Sequence, residues 1–373
     1  MSYRVPPEPG GKERHVGCLT AAQLHQGHDV TVAFRHGVQP AGTTELALPA
    51  TAGSRLLSAR SDVLAFAAQV ATALRATPRF DLVHLHGDHV EALLLGPACR
   101  RLRLPLFLTV HGALADRHHR LAGWALGHVD AVMALGVRPA ADLMRRGVDR
   151  NRIRVACSGL DLPALSRFRT AEAREPGLVV SVGSLDAVKN HELLINAWHR
   201  LPANGRGGRL VIVGDGPDGA RLRRLAEGVA GVHLVGALAR DEVYRLVASA
   251  EIFVLASRHL VGKGEGVPTA ALEALALGTA VVLSSAATLE PVVPPGQVYR
   301  LFESESVTDL VRVLGEVADD AAARRRMMAL GPPAVGGLGW DAVAARVEEW
   351  YRTSLRVSPG RSGGSGRAAI SRS

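Results

Sequence analysis

Glu265 and Glu273 stand eight residues apart, and Gly266, Val267, Pro268 and Thr269 lead from the first into an apolar run that carries the second. Pro268 suits the first helical turn, where its missing N–H costs nothing. The spacing therefore predicts Glu265 in the loop at a helix mouth and Glu273 on the helix body. Free N–H groups at such a helix start carry positive dipole character and can hold a diphosphate. A carboxylate further along can take a ribose diol through two hydrogen bonds. Two surface glutamates beside a helix-starting proline are the plainer alternative.

Lys189 closes a second loop, Ser181-Val182-Gly183-Ser184-Leu185-Asp186-Ala187-Val188-Lys189-Asn190, set between a predicted strand and a predicted helix. Only three of the 44 Lys and Arg residues are lysines, so a lysine here is less readily a product of composition. Its ammonium can meet phosphate, or it can be a solvated loop cation. Gly10 and Gly11 open the first helix, where glycine lets backbone approach a ligand or makes a simple turn. His111, in Thr109-Val110-His111-Gly112, falls at the C-terminal end of a predicted strand, where open parallel sheets place ligands; a structural histidine fits there too.

Two further patterns point elsewhere. Gly214-Asp215-Gly216-Pro217-Asp218-Gly219 satisfies the dinucleotide-binding spacing. Pro217 removes a needed N–H, however, and the next strand ends at Val235-Gly236 without a ribose-binding acid. His84-Leu85-His86-Gly87-Asp88-His89 fits a zinc-hydrolase ligand run, and His/Asp clusters at short spacing can bind metal. A zinc-dependent hydrolase using His84, His86, Asp88 and His89 is therefore an alternative function, although that fold needs mixed sheets. The other reading is a strand end entering a helix, with Asp88 near the N-cap.

The elements that must position these residues read as parallel strands joined by crossover helices. In the first half, strands are predicted at 29–34, 82–85, 106–110, 131–135 and 153–155, with helices at 13–26, 62–76, 89–101 and 138–146. After a polar stretch the pattern restarts, with strands at 178–182, 210–213, 232–235, 252–255, 280–283 and 298–301. Helices there are predicted at 191–201, 217–228, 241–249, 269–277 and 306–323. The expected fold class is α/β, two tandem Rossmann-like, doubly wound domains with a cleft between them. Their expected ranges are 1–165, an N-terminal domain, and 177–335, a C-terminal domain. Residues 166–176 are expected as a linker, 336–356 as a C-terminal helix region, and 357–373, rich in Gly, Ser and Arg, as a disordered tail. The first strand reads as truncated, since only Ser2–Val5 precede Pro6 and Pro7. The natural reading frame is accordingly expected to begin upstream, which an intact mass of the native protein would check.

The 373 residues are 47% hydrophobic and 21% charged, which suits globular domains and excludes a fibrous or wholly disordered chain. Three cysteines without metal-type spacing, no membrane-length apolar run and no signal-peptide core lead to the expectation of a cytoplasmic protein. The net charge is +9, and residues 1–165 carry 19 Lys and Arg against 13 Asp and Glu. Anionic partners follow: phosphorylated small molecules or, for the basic first half, peripheral contact with the anionic inner face of a membrane. Nucleic acid is not expected, because only four Tyr and four Trp are available as stacking platforms.

In order along the chain, these residues resemble family 4 of the glycosyltransferases, retaining enzymes of the GT-B fold that use nucleotide-diphosphate sugars. The resemblance covers most of residues 4–355. It runs through Gly10-Gly11-x-Glu13-Arg14-His15, Gly27-His28-x-Val30-Thr31-Val32, Val83-His84-x-His86-Gly87, Thr109-x-His111-Gly112 and Ser158-Gly159-Leu160-Asp161 to the Glu265–Glu273 pair, its most specific signal. It implies that 1–165 is the acceptor-side domain and 177–335 the nucleotide-sugar-binding domain, that Glu273 binds the donor ribose, Glu265 contacts the sugar hydroxyls, Lys189 meets the diphosphate and His111 lies beside the transferred sugar. Glu265, His111 and Lys189 would be catalytic. Gly10 and Gly11 would close over the donor, with Gly183, Ser184, Gly266, Val267 and Thr269 lining it. Leu238, in the Val235–Leu238 loop, would face the nucleobase, and Trp340–Tyr351 would form a last helix crossing back to the first domain. Ser184 stands where family members often carry arginine, so Lys189, Lys263 or Arg258 would have to substitute. Pro268 replaces a frequent glycine.

The expected function is transfer of a sugar from a UDP- or GDP-sugar to an unknown hydroxyl acceptor. No cofactor and no metal are expected, because no D-x-D lies in a suitable loop. A non-catalytic nucleotide-sugar-binding protein is the remaining alternative.

Overall fold

The apolar runs form two parallel sheets, beside a short two-stranded one, in the computed structural model, which describes residues 1–7, 10–77, 80–169, 174–201 and 208–356. The first part contains α1 (Gly11–His25), β1 (Thr31–Val32), β2 (Thr44–Glu45), α2 (Ala52–Ser58), α3 (Asp62–Ala76), β3 (Val83–His86), α4 (His89–Leu102) and β4 (Leu106–Val110). It continues with α5 (Ala122–Leu126), β5 (Ala131–Ala134), α6 (Val137–Arg145), β6 (Ile153–Val155) and α7 (Leu162–Phe168). The second part contains β7 (Glu175–Val182), α8 (His191–Arg200), β8 (Arg209–Val213), α9 (Gly219–Ala226), β9 (Val232–Gly236), α10 (Arg240–Ser249) and β10 (Ala250–Leu255). After these come α11 (Thr269–Ala276), β11 (Ala280–Ser284), β12 (Tyr299–Phe302), α12 (Val307–Asp319), α13 (Ala321–Val335) and α14 (Trp340–Arg356).

β3, β4, β5 and β6 pair in that order, all parallel. Every residue of β4 and β5 is buried, as strands covered by helices on both faces require. The second sheet runs β12-β11-β10-β7-β8-β9, with every pairing parallel. Counted from β7 as first, that order is the doubly wound arrangement, and its switch point lies between β7 and β10. Ligands bind in the crevice at the carboxyl ends of such strands. The loops that carry Lys189 and Glu265 leave those two strands.

Several expectations need correction. Of the strand expected at 29–34 only Thr31–Val32 is regular, paired with β2. Ser2 and Arg4 make single parallel bridges to His86 and His36, so the opening residues wedge between β3 and the segment after β1. The linker read at 166–176 begins inside α7, whose N-cap Asp161 accepts from Ala164 N at 3.1 Å; residues 170–173 lie outside the described residues, and β7 starts at Glu175. The tail at 357–373 also lies outside them. The helix expected at 306–323 is two helices, because Asp320 leaves helical dihedrals and caps α13 through Ala323 N at 2.8 Å. Pro268 sits at the N-cap of α11, one residue before the helix.

The chain crosses between the domains twice, and the crossings lie side by side: Leu160 N donates to Leu338 O at 2.7 Å. α14 then lies on the first domain. Its Val343, Ala344, Val347, Trp350 and Tyr351 are buried with Leu19, Phe107 and Met133, and the Trp350 ring meets Phe107 edge-on at 4.8 Å. Among the described residues no helix is long and apolar enough to cross a membrane.

Candidate active site

The carboxyl ends of the two sheets face each other across a close seam. Val267 N donates to Leu135 O, just beyond β5, at 2.8 Å. Gly266 is needed there: a Cβ would stand 2.2 Å from Leu135 O and 2.8 Å from His111 O, and both are backbone atoms that cannot yield. The loop after β10 thus abuts His111, at the end of β4, with its neighbour Glu265 at the seam.

Glu265 Oε1 accepts from Ser257 Oγ at 3.0 Å and pairs with Lys189 Nζ. The pair is mostly shielded, at 13% and 19% exposure. Lys189 is aimed by its own loop, in which Asp186 Oδ1 accepts from Val188 N at 2.9 Å and from Lys189 N at 3.2 Å, and Asp186 Oδ2 accepts from Ser184 Oγ at 2.6 Å. Gly183 lies under the Lys189 side chain, 3.2 Å from where a Cβ would be. Gly214 is explained by the same crowding, since a Cβ there would fall 1.8 Å from Gly183 O. Its glycine spacing serves loop packing.

Glu273, on α11, is not free. Its Oε1 accepts from Tyr244 OH at 2.9 Å and pairs with Arg14 of α1, and Arg14 Nη2 also donates to Tyr244 OH at 2.9 Å. Burial works against charge on Arg14, yet Glu273 and Tyr244 raise its pKa further. Burial, then Glu273, pushes the Tyr244 phenol up. Arg14 and Tyr244 were not singled out from sequence. Arg14 sits inside the Gly10–His15 run, whereas Tyr244, on an amphipathic helix, carries no signal in the sequence.

Gly10 caps α1 with φ at 149°, placing the Gly10–Gly11 turn on the helix that carries Arg14. Thr269 is the first residue of α11. Leu238 packs partly buried against the core of the second domain, after Gly236 at φ 77°. Of the substitutes considered for the missing arginine, Arg258 is tied to Ala187 O through Nε at 2.8 Å, and Lys263 is exposed.

The run His84, His86, Asp88, His89 does not gather as a ligand set. His84 Nε2 meets Thr109 Oγ1 at 2.7 Å and its Nδ1 meets Tyr351 OH at 2.6 Å. Asp88 caps α4 through Val90 N at 2.7 Å, and His89 Nε2 meets Arg117 O at 2.8 Å. The histidines that converge are His15, His86 and His111, one ring nitrogen of each lying within 4.8 Å of the others. Burial holds all three well below the ordinary histidine range, His15 at about 4, so all are neutral at pH 7.

A cleft of about 360 Å³ opens beside Glu265 between the domains, lined by Leu114, Asp116, Arg138, Asp142 and Arg146 of the first and His259 of the second. Arg138 crosses it to donate to Ser285 O.

Residues 9–163 match the family described as Glycosyltransferase Family 4, and residues 164–331 that described as Glycosyl transferases group 1. The 2-deoxystreptamine N-acetyl-D-glucosaminyltransferase of Streptomyces fradiae is 30% identical over 79% of this chain and 75% of its own length. A glycogen synthase of Mycobacterium tuberculosis is 29% identical over 95% of this chain and 94% of its own. Among solved structures, Anabaena HepE in complex with UDP-glucose superposes with a TM-score of 0.74 at 16% identity, over 94% of this chain and 99% of that one. The fold that these solved structures share with this chain is GT-B.

Proposed function

The chain belongs to glycosyltransferase family 4, and on that premise we propose that it transfers a sugar from a UDP- or GDP-sugar to a hydroxyl acceptor with retention and without a metal in the transfer step. The observation that carries the reading is the seam itself. It sets Lys189, Glu265, Glu273 and the start of α11 on one face against His111, Gly10 and Arg14 on the other.

In this reading Glu273 takes the ribose diol and Lys189, with the first amides of α11, takes the diphosphate. Gly183, Ser184 and Thr269 line the phosphates, Gly10 and Gly11 close over the donor, and Leu238 flanks the base. Glu265 and the Gly266–Val267 backbone hold the transferred sugar beside His111. The C1–O bond to the diphosphate breaks through a cation-like sugar, and the charge gathering on the leaving oxygens is met by Lys189 and the helix-start dipole. His111, neutral through burial, is a hydrogen-bond partner to the sugar and not its proton source. The acceptor oxygen attacks from the face the diphosphate leaves, and its proton passes to a phosphate oxygen. The acceptor enters through the cleft beside Glu265. We also place the first domain against an anionic membrane surface, since exposed Trp124 and Leu121 lie beside Arg117 and Arg120.

HepE, of the same fold, has been crystallised with UDP and with UDP-glucose, which makes UDP the first probe. A melting-temperature rise with UDP or GDP that is lost in Glu273→Ala supports the assignment. No rise with any nucleoside diphosphate overturns it. Stoichiometric zinc accompanied by hydrolase activity would favour the metal-dependent alternative.

A further inference from the structure

We propose that His15, His86 and His111 form a site for one divalent transition-metal ion of borderline softness, zinc being the type, bound by three imidazoles with a fourth position open. His86 Nδ1 and His111 Nε2 lie 3.3 Å apart. Two nitrogens at about 2.0–2.1 Å from a tetrahedral zinc are separated by about that distance. His15 Nδ1 meets Ser158 Oγ at 2.9 Å, while its Nε2 is buried and, among the described residues, has no hydrogen-bond partner. With His15 Nδ1–H donating to that hydroxyl, the ring is oriented and Nε2 keeps its lone pair to ligate, as in metal-bound histidines held by outer partners. A hydrogen bond between His86 and His111 would satisfy that pair alone; the His15 ring, whose nitrogen lies within 4.8 Å of the pair, joins them on one ion when it moves in by roughly 1 Å, because two bonds of about 2.0–2.1 Å span at most about 4.2 Å.

The frame brings such a set together. His86 and His111 end adjacent strands of one sheet, His15 is held on α1, and the His15 ring meets His111 edge-on with centroids 4.8 Å apart. The set has no carboxylate, which selects zinc, copper or nickel over magnesium or calcium. The fourth position is left to water or an anion. The site differs from the His84–His89 run weighed earlier, sharing only His86 with it. Binding does not depend on the transferase reading. Its consequence does: an ion here claims His111 from the transferred sugar, so occupancy slows transfer.

The test is titration of metal-free full-length protein with cobalt(II), followed by calorimetry and visible absorption. The expected result is one ion per chain with the strong bands of a four-coordinate ion, abolished in His15→Gln and in His86→Gln and unchanged in the exposed pair His118→Ala/His119→Ala. Ser158→Ala, which removes only the orienting hydroxyl, should weaken binding about 10–100-fold and decides the matter if the histidine variants do not fold. No stoichiometric binding, a weak six-coordinate spectrum, or bands that survive His15→Gln would overturn the proposal. Strong bands combined with zinc-insensitive turnover would support the metal site and refute the placement of His111 beside the sugar.

Discussion

Replacing Glu273 with glutamine keeps the side chain's shape and removes its charge, which separates the contact seen in the structure from the role proposed for it. The contact neutralises Arg14. The partners are 12% and 21% exposed, between the fully buried pairs whose breakage costs about 3–5 kcal/mol and exposed pairs worth under about 1 kcal/mol. The tyrosine bond can survive in the amide, so a loss of about 2 kcal/mol is expected. For a domain of this size that lowers Tm by about 4–8 °C. The proposed role is to hold the ribose. Hydrogen bonds to a charged acceptor contribute about 1 kcal/mol more than neutral ones, so two of them lose about 2–3 kcal/mol, or roughly 30–150-fold in donor KM. The assay is steady-state release of nucleoside diphosphate, run well below the variant's Tm, with kcat and KM separated. Tyr244→Phe removes one bond to the same carboxylate oxygen and should show a smaller change in both quantities. A variant that melts early but keeps its donor KM within about twofold would mean that Glu273 serves only Arg14, and the ribose assignment would fail.

Lys189→Ala should lower kcat by about 10²–10³-fold, the loss typical of removing one donor to developing charge, with a smaller effect on donor KM; unchanged kcat would place the diphosphate elsewhere. Gly266→Ala drives a methyl against Leu135 O and His111 O, so the loop must withdraw from the seam. A fall in kcat/KM of about 100-fold with unaltered circular dichroism is expected, and wild-type activity would mean that catalysis does not need this contact. Burial, and then the neighbouring Asp88, raise the pKa of Glu91 above its ordinary value of 4.5. An acid raised on folding costs nothing while both states are protonated; above pH 4.5 the unfolded chain ionises first, and stability falls until the pH passes the raised value. Glu91→Gln, which can still accept from Asp88 N, should match wild type in denaturant midpoint at pH 4.5 and exceed it progressively as pH rises, and parallel pH profiles would refute the burial argument.

The alternation of apolar runs with amphipathic segments was enough to place β4, β10 and β11 and the helices α3, α4 and α10, because burial on both faces demands uninterrupted apolar strands and a helix must carry an apolar stripe. The same local signals located the loops of Lys189 and Glu265, since glycine and proline punctuate strand ends. Local patterning was blind to α2 and α7, whose seven residues offer too few turns for a periodicity, and to the break at Asp320, where one polar side chain chooses to cap. It was equally blind to what the site is made of. Arg14 and Glu273 are 259 residues apart, and His15 reaches Ser158 across 143. A residue's own neighbours in sequence specify its backbone, but its charge partner is set by how two sheets, each folded on local rules, bring their carboxyl ends together. The chain's order of residues settled which side chains were available at the seam; tertiary packing decided which of them touch, because electrostatic and hydrogen-bond contacts act over a few ångströms of space and are indifferent to distance along the chain.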